Sequence, residues 1–269
     1  MSGYLGIVDW GVGGVGVMRA LRRRAQSLPV LYFSDAGFTP YGLLSRAALA
    51  ARLSLVVNYL QREGASAVVL ACNAASTVID RVHAPIGYPL WSVIEPALRL
   101  VPRSALGTVA VIGGRRTIRS GVYRRGLRGL CVKQRIAQPL SAHVEAGTTE
   151  SDACSAALDR ILLPLRGAEL LLLSCTHYPA LTAQIQARLP ETRLLDPAEA
   201  LADAVLSSFE MPSKALHGRT LTTGAPKAMQ RAARSAWQVE LAHVEAISLE
   251  LGNDASASRL ISAAPAVSS

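Results

Sequence analysis

Short apolar runs recur along the chain, each closing on a small or polar residue and each followed by a stretch of mixed character. Gly6-Ile7-Val8, Leu31-Tyr32-Phe33, Ala67-Val68-Val69-Leu70 and Leu90-Trp91-Ser92-Val93-Ile94 come first. Val109-Ala110-Val111-Ile112, Glu169-Leu170-Leu171-Leu172-Leu173 and Arg193-Leu194-Leu195 follow. Runs this short, bounded by turn residues, read as strands buried on both faces. Between them lie amphipathic stretches such as Ser45 to Arg62, which read as helices. Alternating strands and crossover helices predict an α/β fold built on parallel sheets.

The order is also duplicated. Val68-Val69-Leu70-Ala71-Cys72-Asn73 is echoed by Leu171-Leu172-Leu173-Ser174-Cys175-Thr176, and Val93-Ile94-Glu95-Pro96-Ala97 by Leu194-Leu195-Asp196-Pro197-Ala198. Upstream, Gly6-Ile7-Val8-Asp9 with its Gly-rich turn has its counterpart in Val109-Ala110-Val111-Ile112-Gly113-Gly114. Three matched landmarks in one order predict two similar α/β halves, with a cysteine at the carboxyl end of an equivalent strand in each. Ligands of open α/β sheets bind outside those strand ends, so facing halves would bring both thiols to one cleft. The expected boundaries are 1–97 plus 209–252 for the first domain and 98–208 for the second. The Ala/Ser-rich stretch 253–269 is expected to be a flexible tail.

At 269 residues, half of them hydrophobic and 17% charged, the chain can build two well-packed cores. No apolar run approaches the ~20 residues of a membrane span. Asp9 and a Gly-rich stretch arrive too early for a signal peptide. A cytoplasmic protein with no membrane partner is expected. The net charge of +9 comes mostly from Arg spread along the chain, with clusters at Arg22-Arg23-Arg24, Arg115-Arg116 and Arg124-Arg125. No zinc-finger or RNA-binding signature accompanies them, so they read as solvated helix faces rather than a nucleic-acid site. A positive field would still help to draw in a small anionic substrate. The four cysteines, Cys72, Cys131, Cys154 and Cys175, show neither redox-pair nor zinc-knuckle spacing. No metal site is expected.

Three segments carry candidate chemistry. Gly11-Val12-Gly13-Gly14-Val15-Gly16 follows a strand and fits the dinucleotide fingerprint, with Asp35 about twenty residues on. Against that reading, Asp9 would face the pyrophosphate and Trp10 would crowd it. Ala71-Cys72-Asn73-Ala74-Ala75 places a thiol at a strand-to-helix junction, where backbone N–H groups favour a thiolate or bind a carboxylate. The alternative is a buried structural cysteine. Ser174-Cys175-Thr176-His177-Tyr178-Pro179 puts Cys and His two residues apart, a pattern open to a nucleophile with its base or to a zinc fragment lacking further ligands.

Taken together, Gly6-Ile7-Val8-Asp9 with Gly11-Val12-Gly13-Gly14, Pro40-Tyr41-Gly42, Ala71-Cys72-Asn73, Val93-Ile94-Glu95-Pro96, Val144-Glu145-Ala146-Gly147 and Cys175-Thr176-His177-Tyr178-Pro179 resemble the glutamate racemase family. All occur in family order, and the resemblance spans roughly residues 5 to 235. It implies two α/β domains related by a pseudo-twofold axis with the active site in the cleft between them, a homodimer, an amino-acid substrate and no cofactor. It further implies Cys72 and Cys175 as the two proton-transfer groups, with Asp9 beside Cys72, and His177 with Glu145 beside Cys175. Trp10, Pro40, Tyr41, Gly42, Asn73, Ala74, Thr117 and Thr176 fall at the substrate-contacting positions.

Racemisation must remove a weakly acidic Cα proton on one face and return one on the other, so two acid–base groups are required. An ordinary thiol is mostly protonated at neutral pH, and each cysteine therefore needs a neighbour that assists deprotonation. Three positions depart from the family pattern. Trp10 stands where Ser is usual, Ala74 where Thr is usual, and Gly114 where Thr is frequent. Each lost hydroxyl is a donor worth ~1.5–3 kcal/mol toward a charged partner. Glutamate, made into D-glutamate for peptidoglycan, is the default substrate. The alternatives are a racemase or epimerase of another amino acid, and a binding or regulatory homologue with little turnover.

Overall fold

The computed structural model describes residues 3–213 and 215–250; the expected tail lies outside them. Among the described residues ten strands form two sheets in which every pairing is parallel. In the first half they are β1 (Tyr4–Asp9), β2 (Val30–Ser34), β3 (Ala65–Leu70) and β4 (Leu90–Ser92). The second half supplies β5 (Val109–Gly113), β6 (Val132–Ile136), β7 (Leu170–Ser174) and β8 (Arg193–Leu195). The chain then returns with β9 (Arg219–Thr222) and β10 (Glu245–Ala246).

Sheet order is β10-β9-β2-β1-β3-β4 in one sheet and β6-β5-β7-β8 in the other. Without the two late strands, the first sheet reads β2-β1-β3-β4, the same order as the second. The duplication seen in the sequence is therefore a duplication of topology, and two α/β halves on parallel sheets are the observed architecture. In each half the chain leaves the first strand on one side and comes back on the other. That makes β1 and β5 switch points, beside which a crevice opens at the carboxyl ends. The inner strands form where they do because their side chains are buried on both faces: β2, β5 and β7 are buried at every position, whereas β4, β6 and β8 at the sheet edges are only partly buried. The predicted run Leu90–Ile94 is divided, with β4 ending at Ser92 and a helix beginning at Ile94.

Helix boundaries follow local chemistry. Ser45 accepts from Ala48 N at 3.1 Å to open helix Arg46–Arg62, and Asp196 accepts from Ala198 N at 2.9 Å ahead of Pro197–Leu206. Arg22, Arg23 and Arg24 end helix Val15–Arg24, where cations suit the dipole. Two of them do more than face solvent: Arg23 and Arg24 pair with Glu199, and Arg24 also with Asp203, on the second half. One buried apolar cluster runs from Leu5 and Ile7 through Ala110, Ile112 and Leu171 to Leu201 and Val205. The halves thus share a core, and the crevices at their strand ends face each other. No helix among the described residues is long and apolar enough to cross a membrane.

Candidate active site

A cavity of about 490 Å³ lies between the two halves at those strand ends. Cys72 follows β3 by two residues and Cys175 directly follows β7, and both line the cavity. Trp10, Pro40, Tyr41, Gly42, Asn73, Ala74, Thr117, Glu145 and His177 line it as well. Asp9 and Thr176 do not reach the cavity surface. Both are buried beneath it, Asp9 completely.

Around Cys175 a hydrogen-bonded chain runs inward. His177 Nδ1 lies 3.6 Å from Cys175 Sγ and its Nε2 lies 2.5 Å from Glu145 Oε1. That carboxylate oxygen also accepts from the Val12 backbone N–H at 2.7 Å, which ties the second half to the turn after β1. Burial alone would lower the His177 pKa, but its bonds to Cys175 and Glu145 outweigh burial and hold it well above the usual imidazole value. Burial likewise works to raise Glu145, and the hydrogen bond and charge of His177 bring it below the ordinary carboxylate range instead. Each partner thus favours the charged form of the other, imidazolium against carboxylate, with Thr176 Oγ1 at 3.4 Å from the same ring nitrogen as the sulfur.

Around Cys72 the field has the opposite sense. Burial and the negative charge of Asp9 push its thiol far up, more strongly than the backbone N–H groups of Ala74 and Ala75 lower it. The junction's amide donors were expected to favour a thiolate, and they are overruled. Asp9 is itself raised, chiefly by burial, although the charge of His177 works the other way. Its Oδ1 accepts from Trp10 N at 2.6 Å, while Oδ2 has no protein partner among the described residues. One thiol thus sits beside an acidic group that resists ionisation, and the other beside an imidazolium.

The glycines between these groups are spacers. A Cβ on Gly11 would overlap Glu145 Oε1, and one on Gly13 would overlap Thr176 Oγ1 and crowd His177. The turn that fits the dinucleotide fingerprint is therefore packed against the second half and leaves no room for a pyrophosphate. Asp35, the expected ribose ligand of that reading, is fully buried in an ion pair with Arg52, with an N–O distance of 2.6 Å. The dinucleotide alternative is excluded on both counts.

Several expected contacts take a different form. The Tyr41 hydroxyl donates to Asp35 Oδ2 at 2.9 Å, so the Pro40–Gly42 turn meets the cavity without it. The indole N–H of Trp10 is taken by the Phe38 carbonyl at 3.0 Å, so Trp10 lines the cavity without offering that donor. Asn73 Oδ1 accepts from the buried Tyr123 hydroxyl at 2.5 Å, which leaves the amide nitrogen as the donor for a ligand. The sequence reading missed Arg116, Gln138, Ser141, Ala142 and Ala146 on the cavity wall. In the sequence Arg116 stands out only as part of a basic doublet next to Thr117. Of the other cysteines, Cys154 is buried in the core and Cys131 is exposed, both as free thiols.

The sequence profile described as Asp/Glu/Hydantoin racemase matches residues 5–205. A glutamate racemase of Shouchella clausii is 31% identical over 265 residues, covering 93% of this chain and 96% of the relative. Among solved structures, a glutamate racemase of Thermus thermophilus in complex with beta-chloro-D-alanine superposes with a TM-score of 0.79 at 30% identity, covering 92% and 98% of the two chains. A glutamate racemase isoform of Bacillus anthracis gives a TM-score of 0.82 at 25% identity over the same shares.

Proposed function

Because the chain belongs to the aspartate/glutamate/hydantoin racemase family, within its glutamate racemase branch, we propose that it interconverts L- and D-glutamate without a cofactor by proton transfer between two thiols. The observation that carries this reading is the pair Cys72 and Cys175 on one cavity, at the ends of equivalent strands of opposite halves, with contrasting proton-holding neighbours.

In one direction the sulfur of Cys175, as thiolate paired with the His177 imidazolium, takes the Cα proton. Cys72, held as a thiol by burial and by Asp9, returns a proton to the opposite face. The reverse direction needs Cys72 as thiolate, and Asp9 is the group beside it that can accept that proton. Glu145 keeps the imidazole oriented and charged, and Thr176 borders the same ring nitrogen. Asn73, through its amide nitrogen, and Thr117 hold the amino acid, with Trp10, Ala74 and the Pro40-Tyr41-Gly42 turn closing the walls. D-glutamate made this way would supply peptidoglycan in the cytoplasm. A homodimer rests on the family resemblance and is checked by light scattering.

Incubating the protein with L- or D-glutamate in D2O, with no cofactor added, tests the reading. Both enantiomers should acquire deuterium at Cα while optical activity decays to zero. Retained protium and unchanged chirality would refute it. A second reading, racemisation of a different amino acid, is favoured by Ala74 and Gly114, which offer the cavity no side-chain hydroxyl. Cα exchange confined to another amino acid would establish it.

A further inference from the structure

Arg116 has no role in the proton-transfer scheme, yet it lies on the cavity wall. Its Nε donates to the Tyr41 carbonyl at 3.0 Å, which fastens the second half to the Pro40–Gly42 turn of the first. Its two terminal nitrogens make no protein hydrogen bond, and no carboxylate pairs with it, among the described residues. Glu145 is the one carboxylate among the cavity's lining residues, and it is taken by His177 and Val12. Half-buried, with Arg46 nearby, the guanidinium is held where both desolvation and a like charge oppose it. An unpaired cation in such a place is relieved by an anionic ligand.

Arg116 is the one Arg or Lys among the lining residues, where Thr117, Gln138 and Ser141 offer only neutral donors. Ala74 and Gly114 have no side-chain donor, and the Tyr41 hydroxyl is bonded to Asp35. Glu145 and His177 pack against the Gly11–Gly13 turn, whereas Arg116 is tied to the separate Pro40–Gly42 turn. The guanidinium therefore belongs to a different side of the cavity from the His177 relay. We propose that Arg116 binds the side-chain carboxylate of an acidic amino-acid substrate and sets the cleft's preference for it over the neutral amide. This rests on the racemase reading above and specifies the substrate class for it.

The test compares wild type with Arg116→Gln and Arg116→Lys on glutamate and glutamine, which are nearly isosteric and exchange a side-chain carboxylate for a neutral carboxamide. Cα deuteration in D2O gives kcat and KM, and calorimetry gives glutamate affinity independently of turnover. Arg116→Gln should raise the glutamate KM about 10- to 100-fold, the loss of one charge-assisted contact, with kcat little changed. The glutamate-to-glutamine preference should fall by a similar factor, and Arg116→Lys should recover part of it. A role confined to the Tyr41 bond would impair both substrates alike; an unchanged preference, or wild type treating the two equally, overturns the proposal. If wild type binds glutamate without exchanging its Cα proton, the racemase reading fails. In that case a weaker glutamate affinity of Arg116→Gln sustains the Arg116 assignment, and an unchanged affinity overturns it.

Discussion

Replacing Arg52 with Met removes one member of a completely buried ion pair, and its effect can be worked from the contacts. Arg52 donates to Asp35 through Nε at 2.9 Å and through a terminal nitrogen at 2.6 Å, and its other terminal nitrogen reaches the Leu249 carbonyl. The guanidinium carbon lies 4.1 Å from the centre of the Phe38 ring. Without it, Asp35 keeps hydroxyl bonds only from Tyr41 and Thr223, each at 2.9 Å, against a full buried charge. Stranding one partner of a buried pair costs about 3–5 kcal/mol, a large part of the ~5–15 kcal/mol that holds a typical domain folded. Urea unfolding of Arg52→Met should show that loss. Adding Asp35→Asn should restore part of it, because the stranded charge is then gone. The same two residues anchor Tyr41 and, through Trp10 and Phe38, the first wall of the cavity, so the glutamate KM of Arg52→Met should rise as well. A variant within about 1 kcal/mol of wild type, or a double variant less stable than Arg52→Met, would show that no stranded buried charge is at work.

His177 is protonated more readily in the folded chain, so its stabilisation is complete below the imidazole's unfolded pKa and fades as pH rises through the folded value; Glu145, whose pKa is depressed, stabilises above its unfolded value and fails as pH falls. The stability gap between wild type and Glu145→Gln should therefore be widest between those limits, as read by urea unfolding across pH, and the His177 NMR titration midpoint should fall in the variant. Gly13→Ala, which forces a methyl into Thr176 and His177, should lower stability by about 1–3 kcal/mol and abolish exchange, with Gly16→Ala against Trp237 as a control that disturbs packing away from the thiols. Tyr123→Phe leaves Asn73 without its 2.5 Å bond and should raise KM severalfold at little change in kcat, measured by Cα exchange.

Most strands legible in the sequence, such as β2, β5 and β7, are buried at every position, whereas β4 and β8, only partly buried, are legible through their short leucine-bearing runs alone. β6, reading Val-Lys-Gln-Arg-Ile, is a largely exposed edge strand, and β9, reading Arg-Thr-Leu-Thr, has a single apolar side chain. Neither offers an apolar run, so both escaped notice. The thiols are visible because the duplicated strand ends fix them locally, whereas Glu145 and the part played by His177 come only from the family resemblance. Asp35 was misleading because glycine spacing drew it toward a nucleotide; its partner Arg52 stands on the buried stripe of Leu49, Leu53 and Val56. A charge on that stripe was the available signal for a buried pair. Arg116 had no such signal, since its place opposite Tyr41 is set by how the two halves meet.

In the proposed reaction both sulfurs move protons. The direct measurement is Cα exchange and racemisation of L- and D-glutamate in D2O by Cys72→Ser and Cys175→Ser, each checked for native folding by circular dichroism. A serine hydroxyl ionises far less readily than a thiol, so each variant should lose racemisation by several orders of magnitude while still binding glutamate. Either variant racemising glutamate at the wild-type rate would contradict the two-thiol account.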